Sequence, residues 1–166
     1  RSFVILTPDI GEVAFIPGVL RRLRREAPGV RLHALSRSRT AAADALEKGE
    51  ADLAVGFFPD LQKAGYFQQG LFTSTYECIT CAQNDAVGAR MTLKQYLAAR
   101  HVVVRPDGRE HLLERFLDGK GWQRSVTLEL SHFMSLLALL PGTDLIATVP
   151  QDIATIKKNA NLKILS

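Results

Sequence analysis

Apolar and polar residues alternate at the start of the chain in blocks that predict a strand and then a helix. The apolar run at residues 3–6 is short enough to be a buried strand, and Thr7, Pro8 and Asp9 end it. Asp9 is predicted to cap a helix, with Glu12 three residues later as in a capping box. Pro17 is expected to bend this helix. Its apolar positions, at helical spacing, are Val13, Ile16, Leu20 and Leu23.

The turn at residues 7–9 is the first candidate for a binding site. A helix that starts at the carboxyl end of a buried strand presents free N–H groups and a partial positive charge, which favour an anion. The alternative is an ordinary strand-to-helix turn, because no glycine-rich phosphate loop is present. Both interpretations stay open at this point.

The pattern continues with a strand at 30–35, a helix at 41–48 closed by Gly49, and a strand at 52–57. This β-α-β-α-β order predicts a parallel sheet with right-handed crossovers and helices on its faces. After the loop at 58–65, a strand at 75–82 and a helix capped by Thr92 indicate a second lobe. Further elements are predicted as strands at 101–105, 125–130 and 145–149, helices at 110–118 and 133–140, and a last helix with Pro150 at its first position.

The predicted fold class is therefore α/β, with two lobes and a cleft. We expect residues 1–73 to form lobe I, residues 74–160 to form lobe II, and residues 161–166 to begin a return towards lobe I. The chain has 166 residues and is 46% hydrophobic, which is enough for a core in each lobe. It begins with Arg and shows no signal-like apolar segment, so we expect a soluble piece of a longer protein.

The net charge of +4 raises the question of nucleic-acid binding. The excess is concentrated in the run RRLRRE at residues 21–26 and in Arg31. A solvated helix face explains this run more simply than a nucleic-acid surface.

Cys78 and Cys81 form a CxxC pair, which could indicate a metal or redox site. Their surroundings predict a strand, in which residues three apart face opposite sides of the sheet. No second pair of ligands completes a zinc set. We therefore predict no metal site and no cofactor, and two reduced thiols of this kind suit a cytoplasmic protein.

Several motifs together carry a family resemblance. In order, they are DIGEVAFIP, EAPGVRL, LEKGEADLAVGF, LF-x4-ECI and HFMSLLALLPGTDLIATVP. With this order and spacing, the chain resembles the effector-binding domain of LysR-type transcriptional regulators over nearly its whole length. More narrowly, it resembles the branch related to salicylate- and nitroaromatic-responsive regulators.

The resemblance implies a two-lobe fold like that of type 2 periplasmic binding proteins, with a small effector held between the lobes. It implies an aromatic carboxylate as effector, a homodimer or tetramer formed through lobe contacts, and DNA binding only through an N-terminal winged helix-turn-helix outside this sequence. The helix carrying Val19, Leu20 and Leu23 is expected at the contact between copies. No membrane association is expected.

The sequence also bears on two other function classes, an enzyme and a transport protein. An enzyme is not predicted, because the sequence lacks G-x-S-x-G, H-E-x-x-H and paired-carboxylate patterns. A solute-binding protein of a transport system shares the two-lobe fold and would differ mainly by a secretory leader. It is the alternative to a regulator.

The resemblance also implies the residues that contact the effector. In lobe I these are the turn after the first strand, the start of the second helix and the end of the third strand, and in lobe II a strand end and a helix start. The implied residues are Thr7, Pro8, Asp9, Ile10, Ser38, Arg39, Phe57, Phe58, Val104, Arg105, His132 and Phe133.

Each polar member of this set has a structural alternative. Asp9 and Ser38 are also good helix caps, and His132 could cap the helix predicted at 133–140. Arg105 could bind a carboxylate bidentately or simply face solvent. The rings of Phe57, Phe58 and Phe133 are expected to form apolar walls for an aromatic ring.

Overall fold

A computed structural model describes residues 1–58, 61, 65–106, 112–154 and 161–165 of the chain. The chain divides into two compact units, Arg1–Thr73 and Ser74–Ser166, and each is described by itself. Among these residues, no helix combines the length and the apolar character needed to cross a membrane.

The first unit is a three-stranded parallel sheet with helices between its strands. Its elements are β1 (Ser2–Leu6), α1 (Asp9–Ala14), α2 (Ile16–Glu26), β2 (Arg31–Leu35), α3 (Arg39–Glu47) and β3 (Leu53–Ala54). The strand order is β2-β1-β3, with Leu6 opposite both Leu35 and Ala54. The predicted β-α-β-α-β order and parallel pairing are confirmed.

The core of this unit lies between the sheet and α3. Leu6 is fully buried against Ala42 and Ala45, which lie one helical turn apart on the same face of α3. Small alanine side chains let the helix approach the sheet closely, and Phe58 packs against the edge of this cluster.

Three predictions for the first unit are wrong in detail. Pro8 occupies the N-cap position of α1 and makes no side-chain cap, and the Asp9 carboxylate accepts a hydrogen bond from the adjacent Ile10 N–H at 2.9 Å. The predicted helix does not bend at Pro17 but breaks before it, at Phe15, because Pro is tolerated only in the first turn of a new helix. The third strand stops at Ala54, and Gly56 two residues later has a φ of 147°, far from the negative φ typical of strands.

The second unit is a five-stranded mixed sheet. Its elements are β4 (Tyr76–Cys81), α4 (Leu93–Ala98), β5 (Arg100–Val104), α5 (Leu112–Gly119), β6 (Ser125–Leu130), α6 (Leu136–Leu139), β7 (Ile146–Pro150), α7 (Gln151–Ala154) and β8 (Leu162–Leu165). The strand order is β6-β5-β7-β4-β8, in which β5 is parallel to β6 and β7 while β4 is antiparallel to β7 and β8. The segment expected to begin a return to lobe I thus supplies β8 in the second unit.

Thr92 caps α4 as predicted, in a capping box completed by Gln95. The helix predicted at 133–140 is shorter and begins at Leu136, because the preceding residues form turns with three-residue hydrogen bonds such as Leu136 N–H to the Phe133 carbonyl at 3.1 Å. Pro150 is not the first residue of a helix. It ends β7 opposite Tyr76, and α7 begins at the next residue.

His101 lies at the centre of this unit and is completely buried. Its Nε2 donates a hydrogen bond to the Tyr96 carbonyl at 2.7 Å, and its ring packs edge-on against the Tyr96 ring. Its Nδ1 has no hydrogen-bond partner among the described residues. Burial lowers the pKa of His101 below its ordinary value, so the folded unit holds the neutral ring.

We expect this burial to make stability depend on pH. As the pH falls below about 6.5, the unfolded chain takes up a proton at His101 that the folded chain does not, so the free energy of unfolding decreases. His101→Gln keeps a donor for the Tyr96 carbonyl but cannot titrate. It should therefore reduce the slope of the unfolding free energy against pH by the contribution of up to one proton. Denaturant unfolding between pH 5 and 8 measures the slope. The same substitution at exposed His33 is the control and should leave it unchanged.

Gly11 lies where α1 crosses the end of β1. A Cβ atom on Gly11 would overlap the Thr7 hydroxyl and would lie 3.2 Å from the Thr7 Cβ. Thr7 itself is 2% exposed. The absence of a side chain at Gly11 is therefore what allows Thr7 to be buried beneath α1.

Gly11→Ala should destabilise the domain by about 1–3 kcal/mol, the usual cost of overpacking. Gly18→Ala is the matched control, because Gly18 is also helical and its nearest neighbour is the flexible Arg21 guanidinium at 3.9 Å. Alanine there should be neutral or stabilise by up to about 1 kcal/mol. Adding Thr7→Ala to Gly11→Ala should recover stability, and equal losses at both glycines would contradict this account. Thermal and urea unfolding provide the measurement.

Candidate functional site

In the first unit, the predicted effector contacts gather at one edge of the sheet. The strands are parallel, so their carboxyl ends meet at the same edge. The Thr7 N–H donates to the Leu35 carbonyl at 3.0 Å, and the Val55 N–H donates to the Leu6 carbonyl at 2.8 Å. These bonds hold together the three segments that follow β1, β2 and β3. The structure thereby places Thr7–Ile10, Ser38–Arg39 and Phe57–Phe58 on one side of this unit.

The N-terminus of α3 is the electropositive part of this edge. Ser38 is its N-cap, and the Ser38 Oγ accepts a hydrogen bond from the Ala41 N–H at 3.3 Å. The first turn contains no acidic residue, and Arg37 and half-buried Arg39 flank the cap. The helix dipole and two guanidinium groups therefore favour a negative charge here. Ser38 acts as the cap that the sequence offered as an alternative.

Phe57 is the apolar part of the same edge. Phe57 is 52% exposed, whereas Phe58 is half-buried and packs against the core of the unit. A Cβ on Gly56 would approach the Pro8 ring to 3.2 Å, so glycine allows the turn after β1 to lie against the segment after β3. The two predicted aromatic walls are therefore not equivalent, and Phe57 is the one that presents a free face.

The turn after β1 contains an unusual buried hydroxyl. The Thr7 Oγ1 has no hydrogen-bond partner among the described residues, although burial of an unpaired hydroxyl is costly. Pro8 and Ile10 are half-buried beside it. The Asp9 carboxylate serves its own turn through the Ile10 N–H.

In the second unit, the predicted contacts lie in different surroundings. Val104 is 6% exposed and Phe133 is 8% exposed, so both belong largely to the core of this unit. His132 is exposed, and it does not cap a helix because α6 begins at Leu136 with Ser135 as its N-cap. Arg105 is bonded through Nη1 to the Glu129 carboxylate at 2.9 Å.

Sequence reasoning missed a pocket of about 300 Å³ between α5 and the start of β6. Arg105 lines it together with Trp122 and the buried ion pair of Glu114 and Arg124, whose charged atoms are 2.8 Å apart. The only signals in the sequence were a charged residue inside an amphipathic helix and a lone tryptophan. Neither indicates that the two elements meet.

Both cysteines are free thiols on β4, as the predicted strand required. Burial raises the pKa of Cys78 to about 12, so its thiol stays protonated. A hydrogen bond from the Gly142 N–H, followed by further backbone bonds, lowers the pKa of Cys81. In the described part of the chain, no three or more His, Cys, Asp or Glu side chains are grouped so that they could hold a metal ion.

The chain is similar to known transcriptional activators. It is 34% identical to the HTH-type transcriptional activator NagR of Ralstonia over 155 residues, covering 93% of this chain and 51% of that protein. It is 33% identical to the HTH-type transcriptional activator NahR of Pseudomonas putida over 151 residues, covering 90% of this chain and 50% of that protein. The chain thus spans about half the length of these curated relatives.

Solved structures and the family match agree with this similarity. The regulatory domain of MexT, a transcriptional activator in Pseudomonas aeruginosa, is 30% identical and superimposes with a TM-score of 0.84, covering 99% of this chain and 81% of that one. The family described as LysR substrate binding domain matches residues 2–165. The fold class predicted from the sequence is therefore confirmed, and the chain belongs to the LysR substrate binding domain family.

Proposed function

We propose that this chain binds a small aromatic carboxylate at the carboxyl edge of its first sheet and so regulates transcription by a longer LysR-type regulator. The observation that carries the proposal is the pairing of an electropositive helix N-terminus with an exposed aromatic ring on that edge. The first is the start of α3 at Ser38 and Arg39, and the second is Phe57.

The two features match the two parts of an aromatic acid. The free N–H groups of α3 and the neighbouring guanidinium groups complement a carboxylate, and Phe57 offers its face to a ring. The buried Thr7 hydroxyl adds an unsatisfied group at the same edge. His132 is proposed as a further polar contact because its side chain is exposed and not used as a cap. Pro8, Asp9, Ile10, Phe58, Val104, Arg105 and Phe133 stay predictions as supporting contacts.

The proposed mechanism is a ligand-biased equilibrium between two arrangements of the regulator. An effector shifts such an equilibrium only by the difference between its affinities for the two states. The domain itself performs no chemistry in this proposal, and sequence-specific DNA contacts are made by an N-terminal domain of the full-length cytoplasmic protein. Assembly as a dimer or tetramer would use the exposed Val19 and Leu20 on α2, with its arginines around them.

A role as a transport solute-binding protein is not favoured. NagR and NahR, which match over 93% and 90% of this chain, are described as transcriptional activators. No feature of either unit argues specifically for transport.

Phe57→Ala should weaken the binding of benzoate or 2-hydroxybenzoate about tenfold, because the aromatic contact loses its apolar partner. Leu53→Ala is the matched control, since Leu53 is 51% exposed in β3 and Phe57 is 52% exposed shortly after it. The control should bind as the wild type does. Calorimetric titration gives the affinities, and cyclohexanecarboxylate tests whether aromaticity matters. Failure of the wild type to bind any of a panel of aromatic acids would refute the proposal.

His132→Ala should lower the affinity for the same acid by about 1–3 kcal/mol, the cost of an unpaired polar partner in the complex. The melting temperature of the ligand-free domain should hardly move, because His132 is exposed and caps no helix. Titration and thermal unfolding of one variant measure both quantities. A lowered melting temperature with unchanged affinity would remove His132 from the site.

A further inference from the structure

The pocket between α5 and the start of β6 shares Arg105 with the predicted effector contacts, and its other lining residues lie outside that set. Its volume of about 300 Å³ is at the lower end of the range for ligand pockets and suits a molecule of few atoms. All of its lining residues belong to the second unit. We propose that this pocket binds a small zwitterion, namely an α-amino acid with an apolar side chain.

One wall of the pocket is a closed ion pair. Arg124 and Glu114 lie 2.8 Å apart, with side chains 6% and 10% exposed. Each charge satisfies the other, so this pair shapes the pocket and does not select a ligand by net charge. Selection falls to the remaining polar side chains, Arg105, Asp118 and Gln123, of which Arg105 and Asp118 carry a charge.

Arg105 offers a donor that lacks an acceptor. Its backbone N–H is bonded to the Leu130 carbonyl at 2.7 Å, and its Nη1 is bonded to Glu129 at 2.9 Å. Its Nε is buried and has no partner among the described residues. The Nε side of a guanidinium is an edge that binds carboxylates bidentately, so a ligand carboxylate here would supply the missing acceptor.

The charge balance argues against a simple anion. Glu129 already neutralises Arg105, and Asp118 adds a negative charge to the lining. Asp118 forms no ion pair with another described residue. A ligand that carries an ammonium group beside its carboxylate would place a cation near Asp118 and an acceptor near Arg105, so each of its charges would meet a group of opposite charge.

Three further lining residues are apolar or aromatic. Leu117 is buried on α5, while Trp122 and Val126 border the pocket from the start of β6 and the turn before it. These side chains would pack against an aliphatic or aromatic side chain of the ligand. The surroundings thus correspond to the three parts of an apolar amino acid.

Trp122 is the only tryptophan of the chain, so its fluorescence reports on this pocket directly. We expect L-leucine to change the emission saturably. Two analogues each lack one charged group: 4-methylpentanoate has no ammonium group, and 3-methylbutylamine has no carboxylate. Each should bind about tenfold more weakly or worse, because a charge-assisted hydrogen bond is lost.

Asp118→Asn should weaken leucine binding about tenfold while leaving 4-methylpentanoate binding equal or stronger. Thermal unfolding checks that the variant folds, and Phe57→Ala in the first unit is the control that should bind leucine normally. The proposal is overturned if leucine at millimolar concentration leaves the fluorescence unchanged, or if Asp118→Asn binds leucine as the wild type does. Neither result bears on aromatic-acid binding, whose failure would be seen separately with benzoate.

Discussion

The parallel pairing of β1 with both of its neighbours is the constraint on which the proposed effector site depends. Leu6 lies opposite Leu35 on one side and Ala54 on the other, and this register brings three chain segments to one edge. A shift of one residue would reverse which side chains face α3 and would separate Thr7 from the Leu35 carbonyl. The chemistry of the edge, an electropositive helix start beside an exposed ring, follows from that alignment.

Buried polar groups play a different role in each unit. In the first unit, the Thr7 hydroxyl is buried without a partner because Gly11 leaves room for it. In the second unit, the Arg124–Glu114 pair satisfies itself at 2.8 Å and holds α5 to the strand next to it. The first arrangement carries an energetic cost that a ligand or water could offset, whereas the second contributes a rigid wall.

Much of the fold could be predicted because its local signals agree with its tertiary contacts. The strand at 125–130 and the cap at Thr92 were predictable from alternation and from a capping box. The overlong third strand was not, since its end depends on Gly56 meeting the Pro8 ring, a contact distant in sequence. The helix expected at residue 133 was also misplaced, because three-residue turns precede Leu136.

The candidate site also has a part that could be predicted from the sequence and a part that could not. The location of the first unit's candidate residues could be predicted, because the carboxyl ends of parallel strands meet at one edge of the sheet. The partner of Arg105 was not, because a register irregularity between His101 and Val102 determines which β6 residue lies beside it. Single-sequence patterns do not encode such irregularities.

The topology of the second sheet also bears on how the protein folds. Among the described strands, β4 pairs with β7 and β8, so that Ile79 lies opposite Ala147 and Ile164, both distant in sequence. The first sheet is completed by strands much closer together along the chain. Contacts between distant residues slow folding, because a long loop must close before they form. During synthesis, β4 with its buried Ile79 emerges well before β7 and β8, so it stays unpaired until those strands are made, and an unpaired apolar strand is prone to misassociation.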